Sequence, residues 1–241
     1  MKALILAAGL GTRLKPLTDN KPKALVEVNS ITLLEHTINK LKHAGVNEII
    51  VNVHHFADQI KTFLEQKNYF DIYIEISDES YQLLDTGGGL KKASWFFDDN
   101  KPFFVHNVDV LSDINLGNLY QSHIINHSLV TLAVKDREAS RYFLFDDSLQ
   151  LCGWKNIKTG EVKISKNITE ILIPLAFSGI QILSTDIFKL INETGKFSLT
   201  DTYVGLAKYN KITGYRHDKD FWLDLGKPEM IKEGEEFLNK I

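Results

Sequence analysis

Apolar residues fall into two rhythms along this chain. A continuous apolar run at 3–7 reads as a buried strand, and EIIVNV at 48–53 reads as the next strand. Between them, Leu33, Leu34, Thr37, Ile38 and Leu41 share one side of a 3.6-residue turn. That spacing predicts a helix over 32–44, which Gly45 ends. The alternation continues with a helix over 57–66, a strand over 72–76, a helix over 89–96, a strand over 103–105 and a helix over 116–123. Such a sequence of elements predicts a mainly parallel sheet with helices on both faces.

Past about residue 128 the texture changes. Short strand-like segments at 129–134, 142–145, 149–154 and 161–164 are separated by turn residues, Asp146-Asp147 and Thr159-Gly160. They read as antiparallel hairpins. Helical spacing returns at 185–193 and 199–209, a strand follows at 211–215, and a last helix over 228–239 has proline in its first turn. No repeat, low-complexity tract or linker interrupts 1–241. The expected fold is one α/β domain: a Rossmann-like, mainly parallel sheet flanked by helices, with a small antiparallel hairpin insertion in the second half. Trp95, Phe96 and Phe97 are expected on the buried face of a helix end, His54-His55 in loop packing, and Cys152 in the core.

Composition narrows the function classes. A net charge of −3 argues against a general nucleic-acid binder, which is ordinarily basic. A single cysteine, Cys152, allows no internal disulfide and suits a reducing compartment. The apolar run 3–8 is short for a secretory core, and no run approaches the ~20 residues of a membrane span. The expectation is a soluble cytoplasmic protein with no membrane partner.

The chemistry concentrates after the first strand, in LILAAGLGTRLKPLTDNKPKAL at 4–25. In an open α/β sheet, ligands bind beyond the carboxyl ends of the strands. Gly9 and Gly11 let the backbone turn sharply and present N–H groups, Thr12 adds a hydroxyl, and Pro16 and Pro22 stiffen the loop. Arg13 can fork onto phosphate oxygens, while Lys15, Lys21 and Lys23 supply point charges. A polyphosphate site follows. The dinucleotide fingerprint fails because Leu14 stands at its third glycine, and the P-loop pattern is absent.

G-L-G-T-R-L-K-P-L-T followed by K-P-K-A-L resembles the signature of the sugar-1-phosphate nucleotidyltransferases, the nucleotide-sugar pyrophosphorylases. The resemblance implies a nucleotide-binding half at about 1–127 and a sugar-binding half at about 128–241. It places the nucleotide on Ala8, Gly9, Gly11, Thr12, Arg13 and Lys23, with Arg13 and Lys23 catalytic. DTGGGLKKA resembles the second nucleotide segment, through Thr86, Gly87 and Gly88 before a helix. FFVHNVDV and FWLDLGKPEMI carry the metal aspartates, Asp109 and Asp224, with Mg2+ as the implied cofactor. Val108 stands where the family usually has glycine.

Asn107, Ser178, Gly179 and Arg141 are implied on the sugar side, and Asp201 falls in a helix start of family type. The Glu-Lys-Pro lysine of many members is replaced by GWKNIKTGE, leaving Lys155, Lys158 or Arg141 to meet the sugar phosphate. The implied partners are a nucleoside triphosphate and a sugar 1-phosphate, without nucleic acid, on a monomer or homodimer. Chain length resembles that of short bacterial uridylyltransferases acting on N-acetylmuramate 1-phosphate, with compact mannose-1-phosphate guanylyltransferases as the alternative. A non-catalytic nucleotide-sugar sensor would ordinarily lack Arg13, Lys23 or one of the aspartates, and all four are present.

Overall fold

The computed structural model describes residues 1–166 and 171–240. Its strands are β1 Lys2–Leu6, β2 Glu27–Val28, β3 Ile31–Thr32, β4 Glu48–Val53, β5 Tyr73–Asp78, β6 Phe103–Asn107, β7 Val110–Ser112, β8 Val130–Lys135, β9 Arg141–Phe145, β10 Leu151–Asn156, β11 Val162–Ile164, β12 Ile173–Leu183, β13 Ile212–Arg216 and β14 Trp222–Asp224. Its helices are α1 Leu33–His43, α2 Ala57–Gln66, α3 Asp85–Lys92, α4 Leu116–Asn126, α5 Ile187–Leu190, α6 Leu199–Leu206 and α7 Pro228–Leu238.

The central sheet runs β11-β10-β9-β12-β6-β1-β4-β5, with β8 joining β12 to β13. The block β5-β4-β1-β6 is parallel throughout. β12 lies antiparallel to β6, and the hairpins β9, β10 and β11 continue from it antiparallel. Alternate residues of β1 feed two cores. Ala3 and Ile5 pack with α1 and α2, while Leu4 packs on the opposite face with Leu90 of α3 and Tyr203 of α6. Helix α1 forms where its spacing predicts, and the Thr32 hydroxyl caps it by accepting from the Glu35 N–H at 3.2 Å.

Three local differences from the sequence reading have physical causes. Helix α3 starts at Asp85 rather than 89, so Gly87 and Gly88 are helical. Their lack of a side chain is used for contact: a Cβ at Gly87 would lie 2.3 Å from the Phe197 ring, and one at Gly88 2.2 Å from the Gly195 carbonyl oxygen. Packing of α3 against 195–197 therefore outweighs the poor helix propensity of glycine. The helix expected over 185–193 is confined to Ile187–Leu190, because Ile191 turns extended. Trp95 is exposed, whereas Phe96 and Phe97 are buried. The ring of Trp95 meets Phe96 edge-on from outside.

The parallel block fixes where ligands can approach. Leu6, Asn52 and Asn107 lie side by side at the carboxyl ends of β1, β4 and β6. Beyond them, β7 and β14 form a small antiparallel ribbon with Asp224 opposite Val110. Among the described residues, no helix is long and apolar enough to cross a membrane.

Candidate active site

The loop after β1 is held from below. One amide oxygen, Asn52 Oδ1, accepts from the N–H groups of Ala7 at 2.6 Å and Ala8 at 3.2 Å. Asn52 Nδ2 donates to Glu79 Oε1 at 2.9 Å, and Glu79 Oε2 accepts from the Leu84 N–H at 3.1 Å. Both side chains are buried, and a Cβ at Gly89 would lie 2.7 Å from each of them. This buried chain of hydrogen bonds ties the β1 loop to β4, to the end of β5 and to the start of α3. It also commits the Ala8 N–H, so the loop presents the N–H groups of Gly9, Leu10 and Gly11, which have no acceptor among the described residues.

Gly11 has φ 65, and a Cβ there would meet Thr18 Cγ2 at 3.0 Å and Lys23 Cβ at 3.1 Å. Thr18 Oγ1 donates to the Gly11 carbonyl at 2.8 Å and braces the turn. The 3-10 turn Thr12–Leu14 then buries Leu14 and leaves Arg13 exposed. A second 3-10 turn, Lys23–Leu25, brings Lys23 back beneath the loop.

Lys23 pairs with Asp109, and both side chains are almost wholly shielded from water. The β7–β14 ribbon brings Asp224 alongside: the Leu225 N–H donates to the Asp109 carbonyl at 2.8 Å, and the two carboxyl groups meet within hydrogen-bonding range. Burial works against ionisation of both acids. Lys23 outweighs it at Asp109, whose carboxyl lies below the usual range. Asp224 lies above it, raised by burial and then by the charge of Asp109. Arg13 approaches the other side of Asp224, Nη2 to Oδ2, at 3.7 Å. Gly226 makes room for that guanidinium, since a Cβ there would lie 2.6 Å from Arg13 Nη2.

Two clefts open on this cluster. One, of about 390 Å³, is lined by Ala8, Gly9, Lys23, Thr86, Asn107 and Asp109, among others. The other, of about 600 Å³, is lined by Arg137, Arg141, Tyr142, Trp154, Trp222 and Asp224, among others. Lys23 and Asp109 face the first cleft and Asp224 the second, so the carboxylate pair stands on the wall between them. Among the described residues no group of three or more His, Cys, Asp and Glu could cage a metal. Two carboxylates that meet, with phosphate oxygens to complete the shell, nevertheless fit a hard divalent cation such as Mg2+.

The expected site residues divide accordingly. Ala8, Gly9, Lys23, Thr86, Asn107 and Asp109 line the first cleft, Asp224 and Arg141 line the second, and Arg13 stands beside Asp224, whereas Gly11 and Thr12 line neither cleft. Gly87 and Gly88 face 195–197 instead of the first cleft. Ser178 is fully buried, its Oγ sits 2.7 Å from His217 Nε2, and neither residue lines either cleft. Gly179, with φ 74, occupies the irregularity in β12 and lies against Asn107, whose Nδ2 would be 3.0 Å from a Cβ there. His54 accepts its loop role, with Nδ1 2.7 Å from the Glu79 carbonyl, and Cys152 is buried.

Asn52, Glu79, Arg137 and Lys196, which also lines the first cleft, carry no sequence motif. The apolar run EIIVNV is interrupted by one polar residue, Asn52, and that interruption was the available signal.

Residues 2–147 match the Nucleotidyl transferase family. The N-acetylmuramate alpha-1-phosphate uridylyltransferase of Caulobacter vibrioides is 32% identical over 236 residues, spanning 94% of this chain and 92% of the relative. The protein of the same name from Neisseria meningitidis serogroup B is 30% identical over 241 residues, spanning 98% and 97%. A UDP-glucose pyrophosphorylase solved with UDP-glucose shares the fold with a TM-score of 0.78 at 19% identity, covering 99% of this chain and 98% of the other. The chain belongs to the nucleotidyl transferase family.

Proposed function

We propose that this enzyme transfers a nucleoside monophosphate from a nucleoside triphosphate to a sugar 1-phosphate, releasing pyrophosphate, with uridine triphosphate and N-acetylmuramate 1-phosphate as the substrates. The observation that carries the reading is the meeting of two clefts at one carboxylate pair flanked by Lys23 and Arg13. Each cleft takes one substrate, and the reacting phosphates meet at the wall between them. The names of the two relatives at 30% identity or more supply the choice of sugar and base.

The base and ribose lie in the first cleft over Thr86 and Asn107. The free N–H groups of Gly9, Leu10 and Gly11 turn the triphosphate across the loop. Arg13 receives the charge that grows on the departing pyrophosphate, and Lys23 holds the α-phosphate beside the incoming sugar phosphate. An oxygen of that sugar phosphate forms the new bond to the α-phosphorus as the bond to pyrophosphate breaks. The attacking oxygen already carries its charge, so no general base is required. Asp109 and Asp224 would hold the Mg2+, which supplies charge neutralisation across the phosphates when bound. The protein's part is otherwise placement: the Asn52–Glu79 chain below the loop and the Gly226 gap beside Arg13 hold the cations in register.

A matrix of the four nucleoside triphosphates against a panel of sugar 1-phosphates with Mg2+, read by pyrophosphate release, tests the proposal. The expected maximum of kcat/KM lies at uridine triphosphate with N-acetylmuramate 1-phosphate. A maximum at guanosine triphosphate with mannose 1-phosphate would replace the substrate pair. Tight binding of a nucleotide sugar with no turnover for any pair would make the protein a sensor.

A further inference from the structure

The second cleft contains a cation whose donors are only partly used. Arg137 leaves the end of β8 and lays its guanidinium over the Trp222 ring, 3.8 Å from the centroid. Its Nη2 donates to the Phe177 carbonyl at 2.9 Å, and its Nη1 to the Glu138 carbonyl at 3.3 Å. Its Nε is buried and has no acceptor among the described residues. No carboxylate among the described residues forms an ion pair with it, although Asp224 is near enough for its charge to act on it. A guanidinium has five N–H donors, and a partly buried one left short of acceptors costs stability unless a ligand completes it.

The platform under Arg137 is rigid. Trp222 Nε1 donates to the Ser178 carbonyl at 2.7 Å, and the Ser178 hydroxyl is held by His217. Both Ser178 and His217 are buried. Trp222 lies two residues before Asp224 on β14, so the strand that places the metal-site acid also places the aromatic face. Stacking fixes the plane of the guanidinium, and a fixed fork suits a phosphate more than a mobile ammonium does. The other cations of this region are less constrained. Arg141 and Lys227 line the cleft but are exposed, and Lys158 sits in a solvent-facing turn. Lys155 Nζ is 5.4 Å from the ring centroid of Tyr142 and does not line the cleft.

We infer that Arg137 grips the phosphate of the incoming sugar 1-phosphate and presents its attacking oxygen beside Asp224. The role falls to a residue outside the lysine-bearing hairpin segment. This inference rests on the sugar-phosphate reading of the second cleft.

Arg137→Met keeps an aliphatic stem on Trp222 without the charge, and Arg137→Lys keeps the charge without the fork. Initial rates with Arg137→Met should show kcat/KM for the sugar 1-phosphate falling roughly 10- to 100-fold, the loss expected for a charged phosphate contact. The KM for the nucleoside triphosphate should not move, because Arg137 faces the other cleft. Arg137→Lys should recover part of the loss, and Arg141→Met should lose less than Arg137→Met.

The same variants are titrated calorimetrically with N-acetylmuramate 1-phosphate and glucose 1-phosphate, on protein saturated with a non-hydrolysable nucleoside triphosphate. If no pair turns over on the unaltered enzyme, the functional proposal fails while this binding arm still decides Arg137. Weaker sugar-phosphate binding in both Arg137 variants, with folding intact by circular dichroism, upholds the inference. Equal binding in Arg137→Met and the unaltered protein overturns it, as does an unaltered protein that binds neither sugar phosphate.

Discussion

Asn52 supports the loop after β1 through three hydrogen bonds, and Asn52→Ala removes all of them. The Ala7 and Ala8 N–H groups lose their shared acceptor, and Glu79 loses the donor on one of its two oxygens. Asn52 is 2% exposed and Glu79 1%, so solvent cannot replace the lost partners without entering the structure. A buried N–H left unsatisfied costs about 1–3 kcal/mol, and a bond to a charged group contributes about 1.5–3 kcal/mol. Ala8 borders a cleft that water can reach, which discounts its share. The sum is roughly 3–5 kcal/mol, a large fraction of the ~5–15 kcal/mol available to a domain. Urea unfolding followed by tryptophan fluorescence measures it as a fall in midpoint at unchanged slope. A double-mutant cycle with Glu79→Ala should return a coupling of about 0.5–3 kcal/mol. A loss below about 1 kcal/mol in Asn52→Ala would refute the claim that this amide holds the loop.

The other predictions separate folding from chemistry. A Cβ at Gly9 meets nothing within 4 Å, so Gly9→Ala should leave urea stability unchanged while nucleotide turnover falls on the order of 100-fold through misplacement. At Gly11 the positive φ makes the same substitution cost about 1–2 kcal/mol in unfolding experiments. Lys23→Met should lower kcat roughly 100- to 1,000-fold with a native circular dichroism spectrum; turnover within tenfold of the unaltered enzyme would remove Lys23 from the reaction. His106, His123 and His217 are each held down to about 4 by burial, from 6.5. Below 6.5 the unfolded chain therefore binds protons that the folded chain refuses, and stability falls as pH drops toward 4. At pH 5 each histidine should cost about 2 kcal/mol relative to pH 7, so urea midpoints equal at the two values would contradict their burial in the neutral form.

The parallel half of the fold was legible because its strands are apolar on both faces and its helices carry a single stripe, as in EIIVNV and in Leu33 to Leu41. The loop after β1 stood out for a different reason: its glycines, prolines and cations have few uses in combination. Contacts between distant elements were not legible. Asp224 reaches Asp109 only because β14 pairs with β7, and both strands have three residues, too short to show a period. Gly87 and Gly88 read as a loop because helix propensity favours that, and the close approach of Phe197 reverses it. The resemblance puts Ser178 on the sugar side, but side-chain direction depends on the irregularity at Gly179, which turns its hydroxyl to His217. Arg137 gave no motif because its assignment depends on Trp222, which folds in from 85 residues later.

The reaction assigned to the two clefts is a single displacement, with the sugar phosphate attacking the α-phosphorus directly and no group of the protein bonded to phosphorus on the way. The stereochemistry at that phosphorus tests it. One diastereomer of the α-thio analogue of uridine triphosphate is turned over with N-acetylmuramate 1-phosphate, and the configuration of the thio-substituted product is read by phosphorus NMR. Inversion is the predicted result. Retention would require two successive displacements through a covalent nucleotidyl-enzyme, and would contradict the account.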